Sequence, residues 1–213
     1  MTVKPYGEEG IRVSFGNEIT LETHDQVRRC FFHLSRVKRP FIRDIIPSFT
    51  CVLVVFDDTL VSRRKATAAL EEDLSRLGES DPPPPAFHEI PVRYGGEDGP
   101  DCPFVCRHTG LTLEELIEIH TSVTYTVFTV GFTPGFPYLG ILDERIRVPR
   151  LETPRIRVPA GSVGLAQGQT GIYPCESPGG WQIIGRTETE LFNPRREPFS
   201  LMAIGDKVRF VRL

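Results

Sequence analysis

Paired cysteines, tryptophan, long apolar runs and surplus basic charge are all scarce in this sequence, and each shortage removes a class of function. The five cysteines, Cys30, Cys51, Cys102, Cys106 and Cys175, are odd in number and include no CxxC pair with companion histidines, so neither a disulfide framework nor a zinc site is predicted. All five are read as reduced thiols. Cys102 and Cys106 are one helical turn apart, but Pro103 between them argues against a helix there. Cys175 is a candidate to line a site, although no base stands beside it in the sequence to make it a nucleophile. With 25 basic against 28 acidic residues and a net charge of -3, the chain carries no electrostatic footprint for nucleic acid. No apolar run is long enough to span a membrane, and the opening MTVKPYGEEG has neither the basic nor the apolar region of a signal peptide. A cytoplasmic protein is expected.

The 213 residues suffice for one large domain or two small ones. Gly10 to Phe15 alternates like a strand, and Leu21, Val27, Phe31, Phe32 and Leu34 recur at helical spacing behind Thr20, a plausible N-cap. Ile42 to Ile46 predicts a second strand and the run TCVLVVF at Thr50 to Phe56 a third, buried on both faces. A second helix is predicted from Ser62 to Leu77, ending at Gly78, followed by the proline linker Ser80 to Pro85 and a strand at Phe87 to Val92. Strand, helix, strand, strand, helix and strand together suggest a ferredoxin-like α+β unit, in which the prolines either precede the last strand or mark the border.

Beyond it, Thr112 to Glu115 spells a capping box for a short helix ending near His120, and Thr124 to Val130 alternates as a clear strand. Everything further is strand and turn, which predicts an all-β barrel or sandwich. The division adopted is residues 1–86 for the α+β domain and 87–213 for the β domain.

The stretch Pro154 to Thr187 is rich in glycine and proline, yet carries Ile156, Val158, Val163, Leu165, Ile172, Ile183 and Ile184. A flexible linker lacks such β-branched residues, so short strands joined by tight turns are predicted. Its arginines Arg155, Arg157 and Arg186 suit a carboxylate or phosphate, and Ser162, Gln169, Thr170 and Ser177 supply neutral hydrogen-bonding groups. Glycines such as Gly161 let a ligand approach the backbone, although turns alone also require glycine.

Arg155 is the leading site candidate, held by Pro154 beside the glycines at 161 and 164, with a surface salt bridge as the alternative. His120 is a candidate general base near a barrel rim, against the plainer role of a hydrogen-bonding histidine. Phe132, Phe136 and Tyr138 offer an apolar floor or ordinary core, and Trp181 after Pro178-Gly179-Gly180 can cover a ligand or pack inside.

The runs HTSVTYTVFTVGFTPGFPYLG and PRLETPRIRVPAGSVGLAQGQTGIYPCESPGGWQIIGRT, followed by LFNP and GDKVRF, resemble the allophanate hydrolase subunit 1 family. FGNEI and IIPSFTCVLVVFD extend the resemblance over nearly the whole chain. That family takes in the B-type subunit of prokaryotic ATP-dependent 5-oxoprolinases and KipI-type inhibitors of sensor histidine kinases. The resemblance implies an α+β domain followed by a cyclophilin-like barrel, with two partners, a paralogous C-type subunit in addition to an A-type one. It implies opening of 5-oxo-L-proline to glutamate at the expense of ATP, and no turnover is expected from this chain alone; a kinase-inhibiting regulator is the alternative. Two departures stand out: Gln167 occupies a usual glycine position, and Ile141 follows Gly140 where a second glycine is usual.

A stable lactam is opened most readily by phosphorylating its oxygen, which calls for cations, polar orienting groups and magnesium held by carboxylates. The chain has no GxxxxGKS/T loop and no acidic cluster suited to magnesium, so ATP and Mg are expected to be completed by the partner subunits. No Ser or Cys arrangement suits an amidase either.

Overall fold

The computed structural model describes residues 1–78 and 81–213; Ser80, at the start of the expected linker, lies outside the described residues. The chain divides into two compact units, Met1–Pro84 and Pro85–Leu213.

The first unit runs β1 (Thr2–Tyr6), β2 (Gly10–Ser14), α1 (Leu21–Val37), β3 (Ile42–Pro47), β4 (Cys51–Phe56) and α2 (Arg63–Ser75). Thr20 caps α1 by accepting from the backbone N–H of Thr23 at 3.1 Å, and the helix buries Val27, Cys30 and Leu34 along one stripe. The sheet is antiparallel in the order β1-β2-β4-β3. Only one face of β4 is fully covered: Val52, Val54 and Phe56 are buried, while Cys51, Leu53 and Val55 are half-buried. The apolar run expected to be buried on both faces is therefore one side of a half-covered sheet.

The strand that would complete a ferredoxin-like unit belongs to the second unit, on the side where the division between residues 86 and 87 puts it. Phe87–Tyr94 pairs in the second unit, and the place beside β2 is taken by β1, whose exposed TVKPY carries Pro5 and gives little sequence signal.

The second unit comprises β5 (Phe87–Tyr94), α3 (Cys102–Thr109), α4 (Leu113–Ser122), β6 (Thr124–Val130), β7 (Pro137–Gly140), a single 3-10 turn at Glu144–Ile146, β8 (Arg155–Val158), β9 (Ser162–Ala166), β10 (Gln169–Ile172), β11 (Ser177–Gly179), β12 (Gln182–Arg186) and β13 (Lys207–Arg212). Seven strands close a barrel in the order β10-β7-β6-β13-β5-β12-β9, and β8 pairs with β11 as a separate ribbon. Strand β5 lies parallel to β13. Asp206 anchors its start, accepting from the Ala86 backbone N–H at 2.9 Å and meeting His88 Nε2 at 3.0 Å.

Helix α3 overturns the expectation drawn from Pro103. Proline falls in its first turn, where the missing N–H has no intrahelical acceptor to lose. The capping box at Thr112 and Glu115 is formed in both directions.

Alternation along the barrel strands separates two layers. Val163 and Leu165 of β9, Ile172 of β10, Leu139 of β7 and Ile184 of β12 join the main core. Their neighbours Ala166, Tyr138 and Ile183 face a second cluster built on Phe136, Tyr173 and Trp181. The strands beneath that layer carry small residues because large rings lie directly on them. A Cβ at Gly171 would stand 3.0 Å from both the Phe136 and the Trp181 rings.

Between β9 and β10, Gln167 holds φ 53°, a left-handed conformation that costs a non-glycine residue about 1 kcal/mol or more. The turn keeps its shape through backbone bonds, with the Gln167 N–H donating to Val148 O at 2.6 Å and the Leu142 N–H to Gly168 O at 3.1 Å. Gln167→Gly preserves both and removes the strain. It is expected to stabilise the protein by about 1 kcal/mol, read as a Tm rise of about 2–4 °C in a thermal melt. An unchanged or lowered Tm would show that the strain is offset elsewhere.

Candidate functional site

The aromatic layer outside the barrel is open on one side and encloses a cavity of about 320 Å³. Its walls are built by three segments that the chain brings together from afar. The turn before β7 and β7 itself supply Phe132, Phe136 and Tyr138; the segment leading into β8 supplies Arg150 and Pro154; Tyr173, Pro178, Gly179, Gly180 and Trp181 complete the enclosure. The rings form a continuous set around Phe136, which is tilted against Tyr138 at 4.9 Å between centroids and meets Tyr173 at 5.1 Å and Trp181 at 5.4 Å edge to face. Trp181 is 5% exposed.

Phe132 is 62% exposed at the lip and has φ 69°. The Thr133 N–H donates to Gly131 O at 2.9 Å across it, a γ-turn of the strained hand. The Phe132 ring packs edge to face on Phe136 at 5.6 Å between centroids, so part of it lines the mouth while the rest stays in water.

Arg150 is exposed and makes no hydrogen bond or ion pair among the described residues. Its charge reaches the hydroxyls of Tyr138 and Tyr173: burial raises both phenols above their usual range, and Arg150 opposes that rise. Both phenols are neutral at pH 7, and among the described residues no carboxylate, histidine, cysteine or serine lines the cavity. Such a site can hold a flat or apolar ring and one anionic group; it has no general base or nucleophile of its own.

Of the residues singled out in the sequence, Phe136, Tyr138 and Trp181 are brought together here. Arg155 is not. Its guanidinium is held by buried Asp101 at 2.6 Å, whose other oxygen accepts from the Ile183 N–H at 2.6 Å. The leading candidate ties β8 to Asp101 and, through it, to β12, while its Nη1 is buried without a hydrogen-bond partner; its neighbour Pro154 lines the cavity.

His120 is also placed otherwise than expected, inside the barrel rather than at its rim. It is fully buried, stacks on Phe210 at 4.4 Å and uses both ring nitrogens. Thr170 Oγ1 donates to Gly164 O at 3.1 Å and so accepts from His120 Nε2 at 3.0 Å, leaving Nδ1 to accept from the Tyr94 hydroxyl at 2.7 Å. Burial pushes this imidazole down to about 3. It is a buried, neutral histidine whose ring nitrogens are both engaged, with Thr170, itself buried, as one partner.

Ser162 is buried in β9. Gln169 opens β10 opposite Ala166, half-buried, its Nε2 without a hydrogen-bond partner. Gly161 and Arg186 line a different depression of about 410 Å³ together with Arg93, Glu188 and Glu190. There Arg186 Nε donates to Ala160 O at 3.0 Å, Glu188 is paired with Arg93 at 2.9 Å and Glu190 with Asn193 at 3.1 Å. Cys175 is exposed and lines neither space. Sequence reading missed Arg150 and Tyr173, whose neighbours in space stand far away along the chain.

These residues do not fit Mg-ATP. A triphosphate needs several cations or a nest of backbone N–H groups, and magnesium needs free carboxylate oxygens. The cavity offers one arginine and no carboxylate, the acidic groups of the other depression are already paired, and among the described residues no three His, Cys, Asp or Glu assemble as a metal site. Among the described residues no helix is long and apolar enough to cross a membrane.

Comparison with known proteins agrees with this architecture. The family model described as carboxyltransferase domain, subdomain C and D, matches residues 1–202. The B-type subunit of 5-oxoprolinase from Bacillus subtilis is 38% identical over 99% of this chain and 92% of its own length; that of Escherichia coli is 41% identical over 96% and 93%. Among solved structures, that of TTHA0988 superposes with a TM-score of 0.84 at 34% identity over 100% of this chain, which spans only 40% of that longer polypeptide. The chain belongs to the carboxyltransferase subdomain C and D family, the allophanate hydrolase subunit 1 family, in which the B-type subunits of 5-oxoprolinase stand.

Proposed function

We propose that this chain is the B-type subunit of an ATP-dependent 5-oxoprolinase, a cytoplasmic hydrolase that opens 5-oxo-L-proline to L-glutamate together with paralogous C-type and further A-type subunits. The observation that carries it is the pair of 5-oxoprolinase relatives at 38% and 41% identity, matched over nearly their whole length. No comparable observation favours a kinase inhibitor. The same reading takes the seven-stranded barrel as cyclophilin-like.

The make-up of the cavity supports a division of labour. It suits ring binding and lacks any group to activate water, so ATP, its magnesium and the hydrolytic step fall to the partner subunits. Continuity with further segments in the longer TTHA0988 chain also favours partners for this one.

Reconstitution with the A-type and C-type subunits tests the proposal. ATP-dependent glutamate release from 5-oxo-L-proline is expected from the three together and is expected to fall to background when this chain is omitted. Full activity without it overturns the assignment. Inhibition of a sensor kinase's autophosphorylation by this chain alone, with no glutamate formed by the complex, would move it to the regulator class.

A further inference from the structure

The aromatic cavity has a chemical bias that the family assignment does not supply. Three arginines near Arg150 in sequence are each held by a carboxylate: Arg145 by Asp143 at 2.7 Å, Arg155 by Asp101 at 2.6 Å and Arg157 by Glu176 at 2.7 Å. Arg147 and Arg150 are held by none among the described residues, and of the two Arg150 is the one that lines the cavity, its field reaching both tyrosine hydroxyls. An arginine fork left unpaired above an apolar floor is a receiver for a planar anion.

The space sets the size of the ligand. About 320 Å³ lies at the low end for small-molecule pockets, so the occupant is compact. The walls set its shape, because Trp181 meets Phe136 and Tyr138 edge to face while Phe136 and Tyr138 are tilted against each other, which favours a flat ring among them. At Gly179 and Gly180 the wall is bare backbone, which can bond to an amide without a side chain intervening.

We propose that this cavity binds a small cyclic amide bearing one carboxylate, with the ring between Phe136, Tyr138 and Trp181 and the carboxylate on Arg150. The identity of that ligand as 5-oxo-L-proline rests on the function proposed above; the carboxylate requirement does not.

Trp181 is the single tryptophan of the chain and lines the cavity, so its emission reports occupancy directly. The full chain is titrated with 5-oxo-L-proline and with 2-pyrrolidinone, the same ring without the carboxylate, and the reconstituted complex is assayed for KM in parallel. Wild-type protein is expected to bind the acid about 10- to 100-fold more tightly than the neutral ring, the range of one charged hydrogen-bonded contact. Arg150→Gln is expected to remove that preference, leave 2-pyrrolidinone binding unchanged and raise KM by a similar factor. Arg150→Lys is expected to restore part of it. Because Arg150 is exposed and unpaired, both variants should keep the wild-type Tm.

Several results overturn the proposal. One is equal affinity of the wild type for the two rings. Another is unaltered KM in the Arg150→Gln complex, which would also leave the 5-oxoprolinase assignment standing because the wild-type complex still works. A third is an emission change produced by the C-type partner but indifferent to the acid, which would make the cavity a protein interface. Conversely, Arg150-dependent binding of the acid by a chain whose complex releases no glutamate upholds the cavity and removes the oxoprolinase reading.

Discussion

Lowering the pH from 7 to 4 is expected to cost the barrel unit about 3 kcal/mol through His120 alone. The residue is fully buried, its hydrogen-bond partners are Tyr94 and Thr170, and the rings packed on it are those of Tyr94, Tyr125 and Phe210, none of them a carboxylate. Burial holds its folded-state pKa at about 3, against 6.5 for a free imidazole. Between those values the unfolded chain takes up a proton that the folded chain refuses. Stability from this group is therefore complete above about pH 6.5 and is lost as the pH falls towards 3, by roughly 1.4 kcal/mol per unit. Denaturant titrations followed by Trp181 emission at pH 7, 6, 5 and 4 measure it. Since carboxylates also titrate in this range, the comparison is with His120→Gln, which keeps a donor and an acceptor but has no proton to gain. The variant is expected to be less stable at pH 7 and to lose this part of the slope. Parallel pH profiles for the two proteins would sink the assignment of His120 as a buried neutral group.

The second large effect is expected at Gly161. Its φ of 81° lies in the left-handed region, its N–H donates to Tyr173 O at 2.7 Å and its carbonyl accepts from the Thr187 N–H at 2.9 Å. An added Cβ would stand 2.0 Å from the Thr187 carbonyl oxygen, a backbone atom that cannot swing aside. Strain and collision together are expected to make Gly161→Ala cost about 3 kcal/mol or more, lowering Tm by about 6–12 °C. Gly96→Ala separates the two causes, because Gly96 also has positive φ, 56°, but nothing lies within 4 Å of its missing Cβ. It should lose only the conformational part, about 1 kcal/mol. Equal losses at the two sites would show that the contact with Thr187 is relieved at no cost.

Local pattern carried much of the fold. The cap at Thr20, the capping box at Thr112 and the strand at Thr124 to Val130 each depend on residues within a few positions and appear where the pattern puts them, although the strand is buried from Tyr125 to Thr129 rather than alternating. The proline in the first turn of α3 misled because one breaker residue has two positional meanings, and only the turn's register separates them. The placement of Phe87–Tyr94 had no local signal, since its parallel partner β13 lies some 120 residues onward.

The candidate site divides along the same line. Phe136, Tyr138 and Trp181 were legible because large aromatics beside bare glycine backbone either cover something or pack on it, and here they do both. Arg155 and Arg150 are five residues apart and chemically identical. What distinguishes them is Asp101, 54 positions before Arg155, which pairs with Arg155 and not with Arg150.

From the amino-acid order alone came the two-part organisation, most of the helices and strands, the β character of the second half and the family, because periodicity, capping and motif strings are properties of neighbouring residues. Tertiary structure decided which strand of the second half pairs with Phe87–Tyr94, that Arg155 is paired while Arg150 is not, and that His120 is buried and neutral. Charge pairing and burial are set by groups distant in the chain, and a side chain's protonation and availability follow from that surrounding rather than from its own identity.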